Sequence, residues 1–315
     1  MERRLSGNEF IVRYLSSRAS VIDRKERGFP HRLYHGPHDH RPKAGDSYSS
    51  VGFPPSCPEP TEDQPLGVEW PGQTWSDDKP VWIGHLINSY VKDPVLVYDY
   101  AVGGSFYSDI GVQVKKYFME GAGNAECDGW QPDDSLFVTW VGVNDVGCDS
   151  ETKVPLEALF SFQDELYHAG ARNFLFLNVP PLPRAASSEG SITRERLRRS
   201  QACLDWNALL AQKIDHFAPS HSHPQASVFL FDVHDLFTRI LRNPPSFGFS
   251  VGKDVGTGFD DEVWVDGIHP STQTQKIIAR EVARFMTGKE IEEREPRYKS
   301  PLERLRENEE AETVD

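Results

Sequence analysis

From Gly45 onward, short apolar runs alternate with segments whose apolar residues recur at helical spacing. Val95 to Ala101 reads as a strand, Ser105 to Phe118 as a helix, and Leu136 to Val141 as a second strand. Pro155 to His168 then reads as a helix closed by Gly170, and Asn173 to Val179 as a buried strand. Thr193 to Phe217 is a long helix, Val228 to Val233 another strand, and Thr272 to Met286 a last helix stopped by Gly288. Strands that alternate with helices in this way predict an α/β fold, a parallel sheet covered on both faces. Ligands of such sheets bind where loops leave the carboxyl ends of the strands.

The two ends of the chain break the pattern. Residues 1–43 are rich in Arg, His, Gly and Pro and show no sustained apolar period, so they are expected to be irregular. The residues just before Gly45, His38-Asp39-His40-Arg41-Pro42-Lys43-Ala44, make a poor central strand, because Pro42 cannot donate to a ladder and the charges would be buried. The first strand is therefore expected to be degraded or missing, and segment 1–43 to be foreign to the ancestral protein, as a misassigned first exon would make it. An open frame encoding an apolar strand upstream of Gly45 in the genome is the test of that hypothesis, and its absence refutes it. Residues 289–315, with charge runs at Glu290 to Arg297 and Glu307 to Glu312, are expected to be disordered or a frayed helix. One domain, 44–288, remains, within the size a single core supports.

Charge narrows the partners. The 315 residues include 48 acidic and 34 basic side chains, a formal net charge of −14, and such a surface repels phosphate backbones and anionic lipid headgroups. No stretch approaches the ~20 apolar residues that cross a bilayer, and Met1 to Ser20 lacks the apolar centre of a secretory signal. The expectation is a soluble, untargeted monomer with no nucleic-acid partner. Cys57, Cys127, Cys148 and Cys203 are widely spaced with no C-x-x-C pair, so no zinc or redox motif is indicated, and their state follows from the compartment: disulfides outside the cell, thiols inside. His31, His35, His38 and His40 have metal-like spacing without a surrounding fold, and neither they nor His221 and His223 are expected to bind metal.

Four islands carry candidate chemistry: Gly45-Asp46-Ser47, Gly103-Gly104, Gly142-Val143-Asn144-Asp145 and Asp266-Gly267-Ile268-His269. Ser47 sits at a turn where Gly45 lets the backbone pass closely and Asp46 bonds neighbouring amides. Read alone, it is an ordinary Ser in an Asx-type turn. His269 lies three residues after Asp266, within reach of a carboxylate that would fix its Nδ1 and leave Nε2 for a hydroxyl. The bland alternative makes Asp266 a cap for a helix starting near Pro270. Asn144 would offer its amide to a developing oxyanion together with the Ser47 and Gly104 N–H groups, or it is a simple turn residue after a strand. Acyl transfer from an ester uses all of these parts and needs no cofactor.

Gly45-Asp46-Ser47-Tyr48, Gly142-Val143-Asn144-Asp145 and Trp264-Val265-Asp266-Gly267-Ile268-His269-Pro270 resemble the blocks of the GDSL, or SGNH, hydrolases, over about Gly45 to Gly288. Within that superfamily, the string from Gly170 to Pro181 and Gly72-Gln73-Thr74-Trp75-Ser76 are similar to the fungal acetylesterases of carbohydrate esterase family 16. The resemblance implies a three-layer α/β sandwich of the SGNH, flavodoxin-like kind. It implies Ser47 as nucleophile, His269 as base, Asp266 as its orienting carboxylate, and Ser47, Gly104 and Asn144 as the oxyanion hole, the donor falling on the second glycine of the pair. The implied activity is hydrolysis of a small acyl group, acetyl foremost, from a small-molecule or oligosaccharide ester. Rival expectations are a lipase- or phospholipase-like acylhydrolase and an inactive binding relic.

Two further expectations follow. Members of the superfamily carry Asn where this chain has Asp99, which implies a lost hydrogen-bond donor. They are commonly secreted, so the location is extracellular if the start of the chain is misassigned and cytoplasmic otherwise. The aromatic group Tyr48, Phe53, Trp70, Trp75 and Trp82 offers flat faces for a sugar, with Tyr48 and Trp75 the candidate contacts, although such side chains more often pack a core.

Overall fold

The computed structural model describes residues 10–15, 47–53, 59–76, 79–122, 131, 132, 134–147, 153–182, 194–218, 221, 223–250, 262–266 and 268–312, the first of these in backbone only. In chain order the regular elements are strand β1 (Phe10–Leu15), the short helix α1 (Trp82–His85) widening into a π-helical turn (Leu86–Tyr90), and β2 (Val95–Asp99). Helix α2 (Tyr107–Val112) likewise widens, over Gln113–Ala122, and is followed by β3 (Ser135–Trp140) and the short α3 (Val143–Gly147). Then come α4 (Lys153–His168), β4 (Asn173–Leu177), α5 (Arg194–Phe217), β5 (Ser227–Phe231) and α6 (Val233–Arg242). A 3₁₀ turn (Pro244–Phe247), α7 (Thr272–Thr287) and α8 (Pro301–Glu312) complete the set.

The five strands form one sheet in the order β2-β1-β3-β4-β5, with every pair parallel. β3 and β4 are buried along their whole length, which is why their sequences, SLFVTW and NFLFL, read as near-continuous apolar runs. On one face, Phe160 of α4 and Phe217 of α5 pack against Phe174 and Phe176 of β4. On the other, α1 and α7 pack together over Val95, Leu136, Val138 and Leu175. The result is the three-layer sandwich expected from the alternation of elements.

The N-terminal expectation is corrected. Phe10-Ile11-Val12-Arg13-Tyr14-Leu15 forms β1 at the centre of the sheet, Val12 in register with Val97 on one side and Leu136 on the other. The first strand is thus present; it lies well upstream of Gly45, with residues 16–46 between it and Ser47. A central parallel strand is a short apolar run with no alternation, and six residues show no period by which to recognise it. The four His31–His40 histidines fall outside the described residues.

The C-terminal expectation is also corrected in part. Residues 289–300 form a strap over the α1 region: Arg294 N–H donates to Ser89 O, Arg297 N–H to Asn88 O, and the Asn88 amide pairs with Tyr298 N–H and O. The Arg297 guanidinium donates to the Ile87 and Lys92 carbonyls, and the Tyr298 ring rests 5.5 Å from Trp70. Charge density concealed this, because the segment docks through backbone groups, the Tyr298 ring and the Arg297 guanidinium. Pro301–Glu312 is the regular helix α8, exposed over Pro301–Glu307. Among the described residues no helix is long and apolar enough to cross a membrane.

Candidate active site

The His269 loop is built to hold an imidazole. Trp264 and Pro270 form an antiparallel bridge, Val265 N–H donates to His269 O, and Ser271 N–H to Val263 O, so the chain doubles back with Asp266 near the tip. Asp266 Oδ1 accepts the Ile268 and His269 N–H groups at 2.7 and 2.6 Å, an Asx-type turn, while Oδ2 takes His269 Nδ1 at 2.7 Å. Burial pushes the Asp266 carboxyl up, yet the hydrogen bonds from His269 side chain and backbone and from Ile268 outweigh it and hold the group below the ordinary carboxylate range. With Nδ1–H donated to Asp266, Nε2 carries the lone pair; it is buried and meets no hydrogen-bond partner. The capping alternative for Asp266 fails: α7 starts at Thr272 and its cap is Ser271, whose Oγ accepts Thr274 N–H.

Ser47 is 5 % exposed, in the turn 47–49. Two ties join this turn to the His269 loop and its helix. The Tyr48 hydroxyl donates to the Ile268 carbonyl, next to His269. From α7, Gln275 Nε2 donates to Tyr48 O, while its Oε1 accepts Trp82 N–H and Trp82 Nε1 donates to Ser49 Oγ. Gln275 went unrecognised in the sequence; its signal is an amide on the buried stripe of α7, between Thr274 and Ile277.

The glycine islands meet the same turn. A Cβ on Gly103 would lie 3.9 Å from Ser47 Cβ, so the Gly103-Gly104 loop runs past the serine, and Gly104 takes φ 103°, which favours glycine. Gly142 has φ 116°, and a Cβ there would come within 2.4 Å of the Trp206 indole, so only glycine lets β3 pass into α3 against that ring. Asn144, 3 % exposed, donates one amide hydrogen to Ser105 O at 2.8 Å, which orients the amide and leaves its second N–H. Neighbouring Asp145 accepts Tyr107 N–H; burial, reinforced by Asp109 and opposed by backbone hydrogen bonds, raises its pKa to about 7.

Asp99 is not a lost donor. Fully buried at the end of β2, it accepts Val51 N–H on Oδ2 and Ala101 N–H on Oδ1, both at 2.9 Å, joining the chain after Ser47 to the chain before Gly103. Two acceptors are what two amide N–H groups require, and a carboxylate supplies them.

Of the five candidate aromatics, Phe53, Trp70 and Trp82 are core, and so is Tyr48, at 0 % exposure. Tyr48 therefore has no surface to offer a sugar, and that expectation is corrected: its ring packs edge-on to Trp140 and its hydroxyl is committed to the His269 loop. Trp75 alone is partly exposed, and it stacks on His269. Cys203 is a buried thiol, and the other three cysteines lie outside the described residues, as do Gly45, Asp46 and Gly267. His223 is buried between Tyr167 and Phe217 and bridges Phe217 O and Asp164; no group of three or more metal-ligating side chains stands among the described residues.

These residues lie where the strands of a parallel α/β sandwich end, an arrangement that hydrolysis of a carboxylic ester can use. The sequence profile of the GDSL-like Lipase/Acylhydrolase family matches residues 44–282, and the chain belongs to that family. It is 28 % identical over 265 residues to an acetylesterase of Thermothelomyces thermophilus, covering 78 % of this chain and 87 % of that one. An acetylesterase of Hypocrea jecorina is 23 % identical over 200 residues, 49 % of this chain and 58 % of its own. Among solved structures, a lipase/acylhydrolase from Enterococcus faecalis aligns at 11 % identity and TM-score 0.38, over 70 % of this chain and 90 % of its own.

Proposed function

We propose that the protein is a serine esterase that removes small acyl groups, acetyl foremost, from carbohydrate hydroxyls through an acyl-enzyme. Ser47 Oγ attacks the ester carbonyl while His269 Nε2 takes its proton; the same proton then passes to the departing sugar alkoxide. Water, deprotonated by His269, attacks the acyl-serine and releases the acid and the free enzyme. Asp266 holds the tautomer. The second Asn144 N–H and the Ser47 and Gly104 backbone N–H groups receive the negative oxygen of each tetrahedral intermediate.

The observation that carries this reading is the His269–Asp266 pair, with Nδ1 fixed, Nε2 unpartnered, and the loop tied through Tyr48 to the Ser47 turn. The acetyl preference rests on the acetylesterases to which the chain is similar. A lipase-like reading wants an apolar channel beside the nucleophile. Hydrolysis of p-nitrophenyl acetate and decanoate by the purified chain is the test, with Ser47→Ala as control. Acetate is expected to turn over much faster than decanoate, and Ser47→Ala to lose on the order of 10⁴-fold or more in kcat. A folded protein that neither turns over acetate nor reacts at Ser47 with a fluorophosphonate is a relic, and the reading fails.

A further inference from the structure

The Trp75 indole lies face to face with the His269 imidazole, centroids 4.8 Å apart and planes 16° from parallel. The stack is not a by-product of a hydrogen bond made by the indole, because Trp75 Nε1 is buried without a partner. Its loop is instead anchored on either side. Gln73 N–H donates to Val51 O, beside the Val51 N–H that Asp99 holds, and Gly72, at φ 90°, passes so close that a Cβ would sit 2.6 Å from Val51 O. On the far side Thr74 Oγ1 donates to Lys79 O and accepts Ser76 N–H. The backbone that places the indole is thus fastened to the nucleophile turn, and one face of the ring is already occupied by the imidazole. An indole in that position is poorly disposed to serve as a free platform for a sugar.

We propose that Trp75 is a positioning residue for the proton transfer: its π face fixes the plane of the His269 ring and stabilises the imidazolium that forms when the ring takes the serine proton. The proposal rests on His269 acting as the base. An aromatic face attracts a cation, with tryptophan the strongest, and the ring is neutral before proton transfer and cationic after it, so the contact strengthens as the reaction proceeds. Among the described residues, the titratable groups facing the imidazole are Asp266, through Nδ1, and Tyr48, whose ring stands 6.5 Å away with its hydroxyl on Ile268 O. Asp266 holds one edge of the ring and Trp75 covers a face.

The experiment compares the full chain with Trp75→Leu and Trp75→Phe, measuring kcat and KM for p-nitrophenyl acetate across pH, the His269 titration by NMR, and thermal unfolding. Trp75→Leu is expected to lower kcat about 3- to 30-fold, the range of a partly to fully desolvated cation–π contact. KM stays within about twofold. With less support for the imidazolium, His269 loses its proton at lower pH, so the acid limb of kcat/KM and the NMR titration both move down. Trp75→Phe, which keeps a π face, restores most of both. A loss confined to KM, or an unmoved titration in a folded Trp75→Leu protein, overturns the proposal and returns Trp75 to substrate binding or packing. Failure of the esterase reading itself looks different: the unaltered chain is then inactive and unlabelled by fluorophosphonate, whereas the NMR titration still tests the stack.

Discussion

The two ends of the sheet are finished in opposite ways. At the carboxyl ends of the strands, polar side chains are held by their neighbours with one function left over: His269 keeps Nε2 and Asn144 keeps one N–H. At the amino ends, between the sheet and the α1–α7 layer, lies the apolar cavity of about 850 Å³, and the strap 289–300 crosses its rim with Lys289, Ile291 and Arg294. Trp82 stands between the two, lining the cavity with its ring while its Nε1 bonds Ser49 beside the nucleophile. None of the proposed catalytic side chains lines that cavity. A reaction needs fixed donors and acceptors with spare capacity.

If that contrast holds, changes at the carboxyl end alter rate and changes at the strap alter stability. Short of removing Ser47 itself, the largest effect is expected from Asn144→Ala, about 10²–10³-fold in kcat, with the lost buried bond to Ser105 O lowering stability as well. Steady-state kinetics beside a thermal melt checks it, and a tenfold loss or less removes Asn144 from the oxyanion hole.

Asp145 is the exception that tests the contrast, because it belongs to the site end yet acts on stability, through pH. Its pKa is about 7 folded against 3.8 ordinarily, so between those values the folded state holds a proton that the unfolded state has lost. Stability is then expected to fall as pH rises from about 4 to 7 and to level off above, by up to roughly 4 kcal/mol. Asp145→Asn removes that slope, and its advantage over the unaltered chain grows with pH across the same window. Urea unfolding at pH 5 and pH 8 measures it, and parallel curves refute it.

The smallest effect is expected at the strap. Arg297→Ala gives up the guanidinium bonds to Ile87 O and Lys92 O, both on partly exposed ground, at a cost of about 1 kcal/mol. Turnover of p-nitrophenyl acetate should be unchanged. A fall in kcat without a matching fall in stability would mean that the two ends are coupled, through Trp82 or α7.

Much of the scaffold was legible from periodicity. β2, β3, β4, α4, α5 and α7 fall within a few residues of their expected limits, because long amphipathic stripes and buried runs of aromatic and β-branched residues carry their own signal. The helices of short or mixed pattern did not declare themselves: α1 and the π-helical turn after it are buried nearly all round, and a stripe that covers every face has no period. β1 was missed for a related reason. Motif position alone suggested where the first strand should be, and the hexapeptide that fills the slot, apolar but for Arg13, lies elsewhere in the chain.

At the proposed site, the resemblance of a few short blocks pointed to Ser47, Asn144, Asp266 and His269, since a turn glycine, an amide after a strand, and a carboxylate three residues before an imidazole are local features. What each neighbour does was not local. Tyr48 and Trp75 both looked like sugar contacts, and long-range contacts separated them: one hydroxyl bonded to a carbonyl 220 residues away, one indole stacked on an imidazole contributed by the far end of the chain. Asp99 looked like a missing donor until two backbone N–H groups from different loops were seen to converge on its oxygens. Sequence by itself determined the layers and the chemical inventory, because hydrophobic period and functional groups are properties of short stretches. Tertiary structure decided which groups were already engaged and which were left over, because that depends on partners brought together only when distant segments pack.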